Sequence, residues 1–305
     1  MKSKGTVMDF DVIVIGGSFA GLSAAMQLVR ARRRMLLIDA GKPRNRFAEA
    51  SHGFLGQDGA PPAAIRQTAL MQLRRYPAFS EITGVARAAE RSTGGFRVTL
   101  EDGRTYRARR LILAIGVEDI LPEVDGLTSL WGRYVLHCPY CHGYEIGGGP
   151  IGLLASSVLA QHQAMLLPDW GETTVFVEPG VEFSADDLRA IEGRGAKLEH
   201  SKLVRLVSEG GALKAAELAD GRSVPVKALF VQTRVTPASP LAEMLGAAME
   251  EGPQGPYIRT DEWGATSIDG LFAAGDAASP MHNGTLASAA GVRAGVNAHR
   301  SLVVE

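Results

Sequence analysis

After Asp11 the chain reads Val-Ile-Val-Ile, a run of apolar β-branched positions without alternation. That is the pattern of a parallel strand buried on both faces. Gly16-Gly17-Ser18-Phe19-Ala20-Gly21 interrupts it, and from Leu22 to Arg34 apolar positions return at helical spacing. Met35 to Ile38 is a second buried strand ending at Asp39, so the spacing predicts a βαβ unit. Farther on, Phe96, Val98 and Leu100 alternate with polar residues, Asp102-Gly103 marks a hairpin turn, and Tyr106 to Leu113 returns as strand.

The second third repeats this plan. Leu100-Glu-Asp-Gly-Arg104 is echoed by Leu218-Ala-Asp-Gly-Arg222, and Leu111-Ile-Leu by Leu229-Phe-Val. Ile151 to Ala155 and Thr173 to Val177 read as its first two strands. A repeat this long predicts two related nucleotide-binding-type units rather than a solenoid. The last third, from Gly270-Leu-Phe-Ala-Ala-Gly-Asp276, reads as strand, glycine and a helix of small residues, with Asp276 at the helix start as an N-cap, that completes the first unit.

Composition narrows the function classes. The 305 residues suit about two domains, and 46% apolar with 21% charged residues is ordinary globular composition. A net charge of -1 gives no electrostatic reason for nucleic acid or an anionic membrane. The basic run Arg30, Arg32, Arg33 and Arg34 reads as complement to a helix C-terminal dipole. Val12 to Val29 lacks charge, but its three glycines and the preceding Asp9 and Asp11 argue against a signal peptide or membrane span. The expectation is a soluble cytoplasmic protein with no nucleic acid or membrane partner.

Two motifs carry candidate chemistry. Gly16-x-Ser18-x-x-Gly21 is a dinucleotide fingerprint with its middle glycine replaced by serine. The first glycine allows the turn, the last allows close helix–strand packing, and a pyrophosphate rests on the helix N-terminus. Asp39 stands at the distance expected of a ribose-binding acid. The second motif is Cys138-Pro-Tyr-Cys141-His142, which holds both cysteines of the protein. Four readings compete: a zinc site, which wants four ligands and finds no second pair; a glutaredoxin-like domain; two inert core cysteines; and a redox-active dithiol. Two intervening residues let the sulfurs close a small ring, and His142 is suited to take a thiol proton.

With a late Gly275-Asp276, these motifs make the chain resemble, over nearly its whole length, the thioredoxin reductase family of flavoproteins. The resemblance implies an α/β fold of two Rossmann-like, three-layer ββα domains. The FAD domain would be discontinuous, 1–117 with 241–305, around a domain 118–240 carrying the cysteines. It implies a homodimer. It also implies that Gly16, Ser18, Phe19, Ala20 and Gly21 meet the pyrophosphate, Asp39 the adenosine ribose, Val85 the adenine and Asp276, after Gly275, the ribityl chain. Thr285 and Leu286 would lie near the flavin, and Asn45 and Gln57 are assigned to it from the loops after Asp39. His282 reads as a loop histidine.

Within that family the chain looks like the dithiol oxidases that close disulfides in natural products of the gliotoxin, holomycin and romidepsin type. The opening Ile-Gly-Gly-Ser-Phe-Ala-Gly, the segment Ser51-His-Gly-Phe-Leu-Gly-Gln-Asp58, and His142 after the cysteines carry this likeness. It implies that Cys138 exchanges with a small-molecule dithiol, Cys141 faces the flavin, His142 is acid and base, and O₂ is the acceptor. The reductases' second glycine fingerprint falls on Ala155-Ser-Ser-Val-Leu-Ala160, and Glu178 and Glu182 stand where arginines would grip a 2′-phosphate, so efficient use of NADP(H) is not expected. Gly147-x-Gly149-x-x-Gly152 is a decoy, lacking a preceding strand. An NADPH-dependent disulfide reductase and a non-catalytic redox sensor are the alternatives.

Overall fold

The computed structural model describes residues 9–304, in two compact units. The first comprises residues up to Arg46, Pro62–Asp119, and the chain from Val235; the second comprises Phe47–Pro61 and Ile120–Arg234. The segment 47–61, kept with the first half in the sequence reading, thus packs within the second unit. There Phe47 fills the space beside Gly132, where a Cβ would stand 2.4 Å from that of Phe47.

The first unit is built on β1 (Phe10–Ile15), α1 (Phe19–Arg30), β2 (Met35–Asp39), α2 (Pro62–Leu73), β3 (Phe79–Thr83), β4 (Ala86–Ser92), β5 (Gly95–Leu100) and β6 (Thr105–Leu113). The sheet order is β3-β2-β1-β6-β5-β4, parallel through β6 and antiparallel beyond it. The first part of β6 pairs with β5, and its end, Leu111–Leu113, pairs in parallel with Leu271–Ala273. The late strand therefore completes the first sheet, as the sequence predicts.

Alternate residues of β1 serve two cores. Ile13 and Ile15 face the layer of β4 and β5 with Phe96, Val98 and Leu100. Val12 and Val14 face the helices, against Ala24, Leu28, Ala294 and Ala298. An unalternating apolar run is what a strand covered on both faces requires. The C-terminal helix Gly284–Arg300 lies close on α1, because a Cβ at Gly291 would stand 2.0 Å from the carbonyl oxygen of Ala20.

α1 starts three residues earlier and stops four earlier than its periodicity predicts. Arg32, at φ 58°, turns the chain out of the helix, while its amide donates to Val29 O and that of Arg33 to Leu28 O, both at 3.0 Å. This is the Schellman closure with arginine in the place usually held by glycine. Only Arg30 remains in the last helical turn; Arg33 instead reaches His299, 3.4 Å from its Nε2.

The second unit has a parallel sheet in the order Lys197–Glu199, Thr173–Val177, Ile151–Ala155, Ala228–Val231, Val135–Leu136. A separate antiparallel sheet joins Leu203–Glu209, Ala212–Leu218 and Ser223–Pro225. The internal repeat holds at the level of single hydrogen bonds. Leu100 N donates to Arg104 O at 2.8 Å and Leu218 N to Arg222 O at 2.9 Å, with Gly103 and Gly221 both at φ 87°. Gly152 lies inside a strand, its place filled by Leu229 and Phe176, so the glycines at 147–152 form no phosphate turn. No helix among the described residues is long and apolar enough to cross a membrane.

Candidate functional site

In the first unit the fingerprint turn leaves β1 through Gly16 at φ 105°, a conformation L side chains rarely adopt. A Cβ there would stand 2.0 Å from Ala114 O, and one at Gly21 would stand 1.8 Å from Gly16 O. Both glycines are thus required by close packing of strand and helix. Gly17 has the carboxylate of Asp39 against it: a Cβ would stand 2.6 Å from Cγ of Asp39, and Gly17 N donates to Oδ1 at 3.0 Å. Ser18 caps α1 with extended backbone, without its hydroxyl capping the helix, and Phe19, Ala20 and Gly21 form the first turn, which carries no acidic side chain. Such an end attracts an anion through its unpaired amides and dipole.

Sequence reasoning missed Arg66 on α2. Its Nε donates to Gly17 O at 2.8 Å and its Nη2 to Asp39 Oδ2 at 2.5 Å. It braces the turn and the strand-end acid together. A cavity of 270 Å³ opens beside them, lined by Asp39, Gly41, Arg66, Leu70 and Thr83 among others. Val85 lies just past Thr83, which pairs with Asp39, and Val85 O accepts from Glu101 N at 2.9 Å.

The late motif is placed differently from its sequence reading. Asp276 opens a short 3-10 turn, Asp276–Ala278, and does not cap the helix. Asn283 caps it, with Oδ1 accepting from Thr285 N at 2.8 Å and Leu286 N at 3.2 Å. What Thr285 and Leu286 present is therefore their side chains. Gly275, at φ 80°, would put a Cβ 2.9 Å from that of Ala20, so this turn converges on the fingerprint helix.

Asp276 also joins a partly buried cluster that the sequence does not announce. Arg44 donates to both oxygens of Asp119, at 2.8 and 2.5 Å, and lies 3.4 Å from Asp276 Oδ2. Its Nη1 stands 2.9 Å from Nδ1 of His282. An arginine only donates, so Nδ1 accepts and the imidazole is neutral with its proton on Nε2. Burial, with Arg44 beside it, pushes the His282 pKa down against the carboxylates of Asp276 and Asp119. His282 is therefore no bare loop residue. Asn45 follows Arg44 in the 3-10 turn Arg44–Phe47.

In the second unit Cys138 and Cys141 form a disulfide across the single helical turn Pro139–His142, with Cα atoms 5.3 Å apart. Pro139 starts that turn with no amide to lose. Cys141 N donates to Cys138 O at 3.3 Å, and Gln163 Nε2 holds His137 O at 2.8 Å, fixing the residue before Cys138. Trp170 packs edge-on to Tyr140, ring centroids 5.4 Å apart, and fills the space beside Gly143. Tyr140 is still 72% exposed beside the disulfide. His142 is mostly buried, and burial pushes its pKa down; Glu145 opposes this and His52 adds to it. The imidazole is therefore neutral near pH 7 and able to accept a thiol proton.

A redox disulfide in the second unit and a glycine cradle in the first are features of one family, and residues 10–295 match it: pyridine nucleotide-disulphide oxidoreductase. The chain belongs to that family. Thioredoxin reductase sirT from Leptosphaeria maculans is 33% identical to it, over 94% of this chain and 92% of that one. The crystal structure of an oxidoreductase from Agrobacterium tumefaciens superposes with a TM-score of 0.93 at 48% identity, covering 97% of this chain and 99% of the other. The crystal structure of HlmI gives a TM-score of 0.90 at 36% identity, covering 96% of this chain and 92% of that one. The fold is the two-unit Rossmann-like α/β fold of this group, and the chain is an oxidoreductase of the disulfide type. The thioredoxin reductase-like members of this family bind FAD, and a glycine turn leading into a helix end free of acidic side chains, with Asp39 beside it, fits such a group.

The turn after the strand Ile151–Ala155 is tied by side chains of this chain. Between the strand Ile151–Ala155 and the helix Ala160–Leu166, Ser157 Oγ donates to Gln232 Oε1 at 3.3 Å. Gln232 Nε2 in turn donates to Leu159 O at 2.8 Å. Glu178 follows the next strand, its amide on Ala155 O at 3.0 Å. Gln57, assigned to the cofactor from sequence, lies in the loop Ser51–Ala60 of the second unit, where its amide donates to Phe54 O at 2.8 Å.

Proposed function

We propose that this chain is an FAD-dependent dithiol oxidase that closes a disulfide in a small-molecule, natural-product-type dithiol. The observation that carries the reading is the Cys138–Cys141 disulfide across the turn that ends in His142, in a unit whose corresponding turn is tied by Ser157 and Gln232. Gly16, Ser18, Phe19, Ala20 and Gly21 would hold the pyrophosphate and Asp39 the adenosine ribose. Val85, Asp276, Thr285, Leu286 and Asn45 would complete the cofactor site.

A substrate thiolate attacks Cys138 Sγ and displaces Cys141 as thiolate, leaving a mixed disulfide. The second substrate thiolate then attacks its own sulfur in that bond, releasing the closed product and the reduced Cys138–Cys141 pair. His142 takes the proton of each incoming thiol and returns it to the departing cysteine sulfur. FAD, when bound, would supply the acceptor for the electron pair of the reduced cysteines, with O₂ as the final oxidant giving H₂O₂. The net reaction is dithiol plus O₂ to disulfide plus H₂O₂. The protein would act as a cytoplasmic homodimer.

The competing reading is an NADPH-dependent disulfide reductase, which the name of the Leptosphaeria relative, a thioredoxin reductase, favours. Anaerobic absorbance of the purified holoprotein separates the two. Under the oxidase reading a small dithiol bleaches the flavin band, air restores it with peroxide, and NADPH acts slowly. Rapid bleaching by NADPH overturns it. Cys138→Ser and Cys141→Ser should each abolish dithiol turnover while keeping the flavin, and turnover by Cys141→Ser would sink the mechanism.

A further inference from the structure

Cys138 and Cys141 are half-buried, while Tyr140 between them stands in solvent. Its ring is nonetheless held in place. Trp170 meets it edge-on, and Trp170 itself packs on the core that holds Ile151, Leu153 and Val175. A Cβ at Gly143 would stand 2.7 Å from the Trp170 indole, so the indole is wedged against the turn of the cysteines. An exposed ring that is already ordered loses little freedom when a ligand covers it. Apart from histidines, the charged side chains around it are carboxylates. The segment 134–150 contains Glu145 and no lysine or arginine, and the loop Ser51–Ala60 contains Asp58 and likewise no lysine or arginine. That loop borders the turn, because a Cβ at Gly53 would lie 3.9 Å from Tyr140 O. The cations at the two ends of the segment are engaged: Arg133 with Glu49 at 3.8 Å, and Lys227 with Gly148 O at 3.4 Å.

We propose that Tyr140 is a specificity residue of the dithiol site, and that the site takes an uncharged dithiol with a flat apolar face. The proposal deepens the dithiol oxidase reading and rests on it for the direction of the reaction. A ligand whose thiolate attacks Cys138 Sγ stands two residues from Tyr140, whose ordered ring offers it aromatic contact. Asp58 and Glu145 disfavour a thiol that carries carboxylates, such as an acidic thiol peptide, and neither segment supplies a cation to receive one. The step ends with the substrate as a disulfide and Cys138 and Cys141 as two thiols, so one disulfide is made for each one reduced.

The experiment measures how fast dithiols reduce the oxidised holoprotein without air, by mass spectrometry of trapped cysteine thiols with the flavin band read alongside. The probes are ortho-benzenedimethanethiol, dithiothreitol, and the matched pair dihydrolipoamide and dihydrolipoate. Each rate is divided by that dithiol's rate with a small disulfide in solution, which removes its intrinsic reactivity. The wild type is expected to favour the aryl dithiol over dithiothreitol and the amide over the acid. Tyr140→Ala is expected to lower the aryl-to-dithiothreitol ratio roughly 3–10-fold, and Tyr140→Phe to keep it. Glu145→Gln is expected to narrow the gap between amide and acid. An unmoved aryl ratio in Tyr140→Ala overturns the proposal, and so does a wild type that reacts equally with amide and acid. If the ratios move as expected but the reduced protein makes no peroxide when air is admitted, the oxidase reading fails and the specificity stands. Peroxide with unmoved ratios keeps the oxidase reading and removes the proposal.

Discussion

In the first unit the chain leaves β1 through Gly16 and Gly17 and enters a helix at Phe19; in the second it leaves Ile151–Ala155 through Ser156 and Ser157 and enters a helix only at Ala160. Both turns sit where an open parallel sheet forms a crevice at its strand ends. In the first, bare backbone faces that crevice and Asp39 is braced by Arg66. In the second, Ser157, Gln232 and the Leu159 carbonyl bond one another across it. Topology therefore makes the crevice, while the absence of side chains makes it a phosphate site. Under the oxidase reading, a duplicated fold keeps both sheets while only one turn serves a nucleotide, because the strands do not depend on the turn glycines.

The largest test of this contrast is Gly21→Val. Its Cβ would meet the carbonyl of Gly16, a backbone clash beyond the about 1–3 kcal/mol typical of overpacking. We expect protein that is colourless or does not fold, read as flavin absorbance per chain beside circular dichroism; retained flavin in a folded variant would break the comparison. Arg66→Ala comes next. It removes two hydrogen bonds from a charged donor, each worth about 1.5–3 kcal/mol. The expected result is a rise of roughly 10–100-fold in the FAD dissociation constant by titration of apoprotein, with Arg66→Lys between. The smallest effect is expected from opening the second turn with Ala155→Gly and Ser157→Gly. Nicotinamide nucleotide binding, followed by calorimetry, should strengthen by no more than about tenfold, or ~1.4 kcal/mol, because Glu178 still follows the next strand. Micromolar binding in that double variant would show that glycine alone separates the two turns.

Much of the fold was legible because the buried strands are apolar runs bounded by glycine and acid, a pattern local in the chain. The hairpin repeat at Asp102-Gly103 and Asp220-Gly221 was legible for the same reason, down to equivalent hydrogen bonds. The end of α1 was not, since Arg32 takes a left-handed conformation that periodicity cannot reveal. The helix cap fell on Asn283 rather than Asp276, because Asp276 opens a separate 3-10 turn and the helix begins only at Gly284. Of the candidate site, the cysteines, His142 and the fingerprint were readable as motifs. Arg44, Asp119 and Arg66 were not, being solitary charged residues in segments without pattern. His52 lay in a segment noted for its likeness to the dithiol oxidases, yet its glycines alone did not tell where the loop would fold.

The amino-acid sequence by itself determined the buried strands of the two sheets, the glycine turn that leaves a helix end open, and a dithiol with an adjacent histidine, since each depends on neighbours within a few residues. Only the tertiary structure decided which side chains meet: Arg66 on Asp39, Arg44 among Asp119, Asp276 and His282, Gln232 in the second turn, and His52 with Glu145. Those pairings join residues distant in the chain, and charge interactions fall with distance in space and ignore distance in sequence.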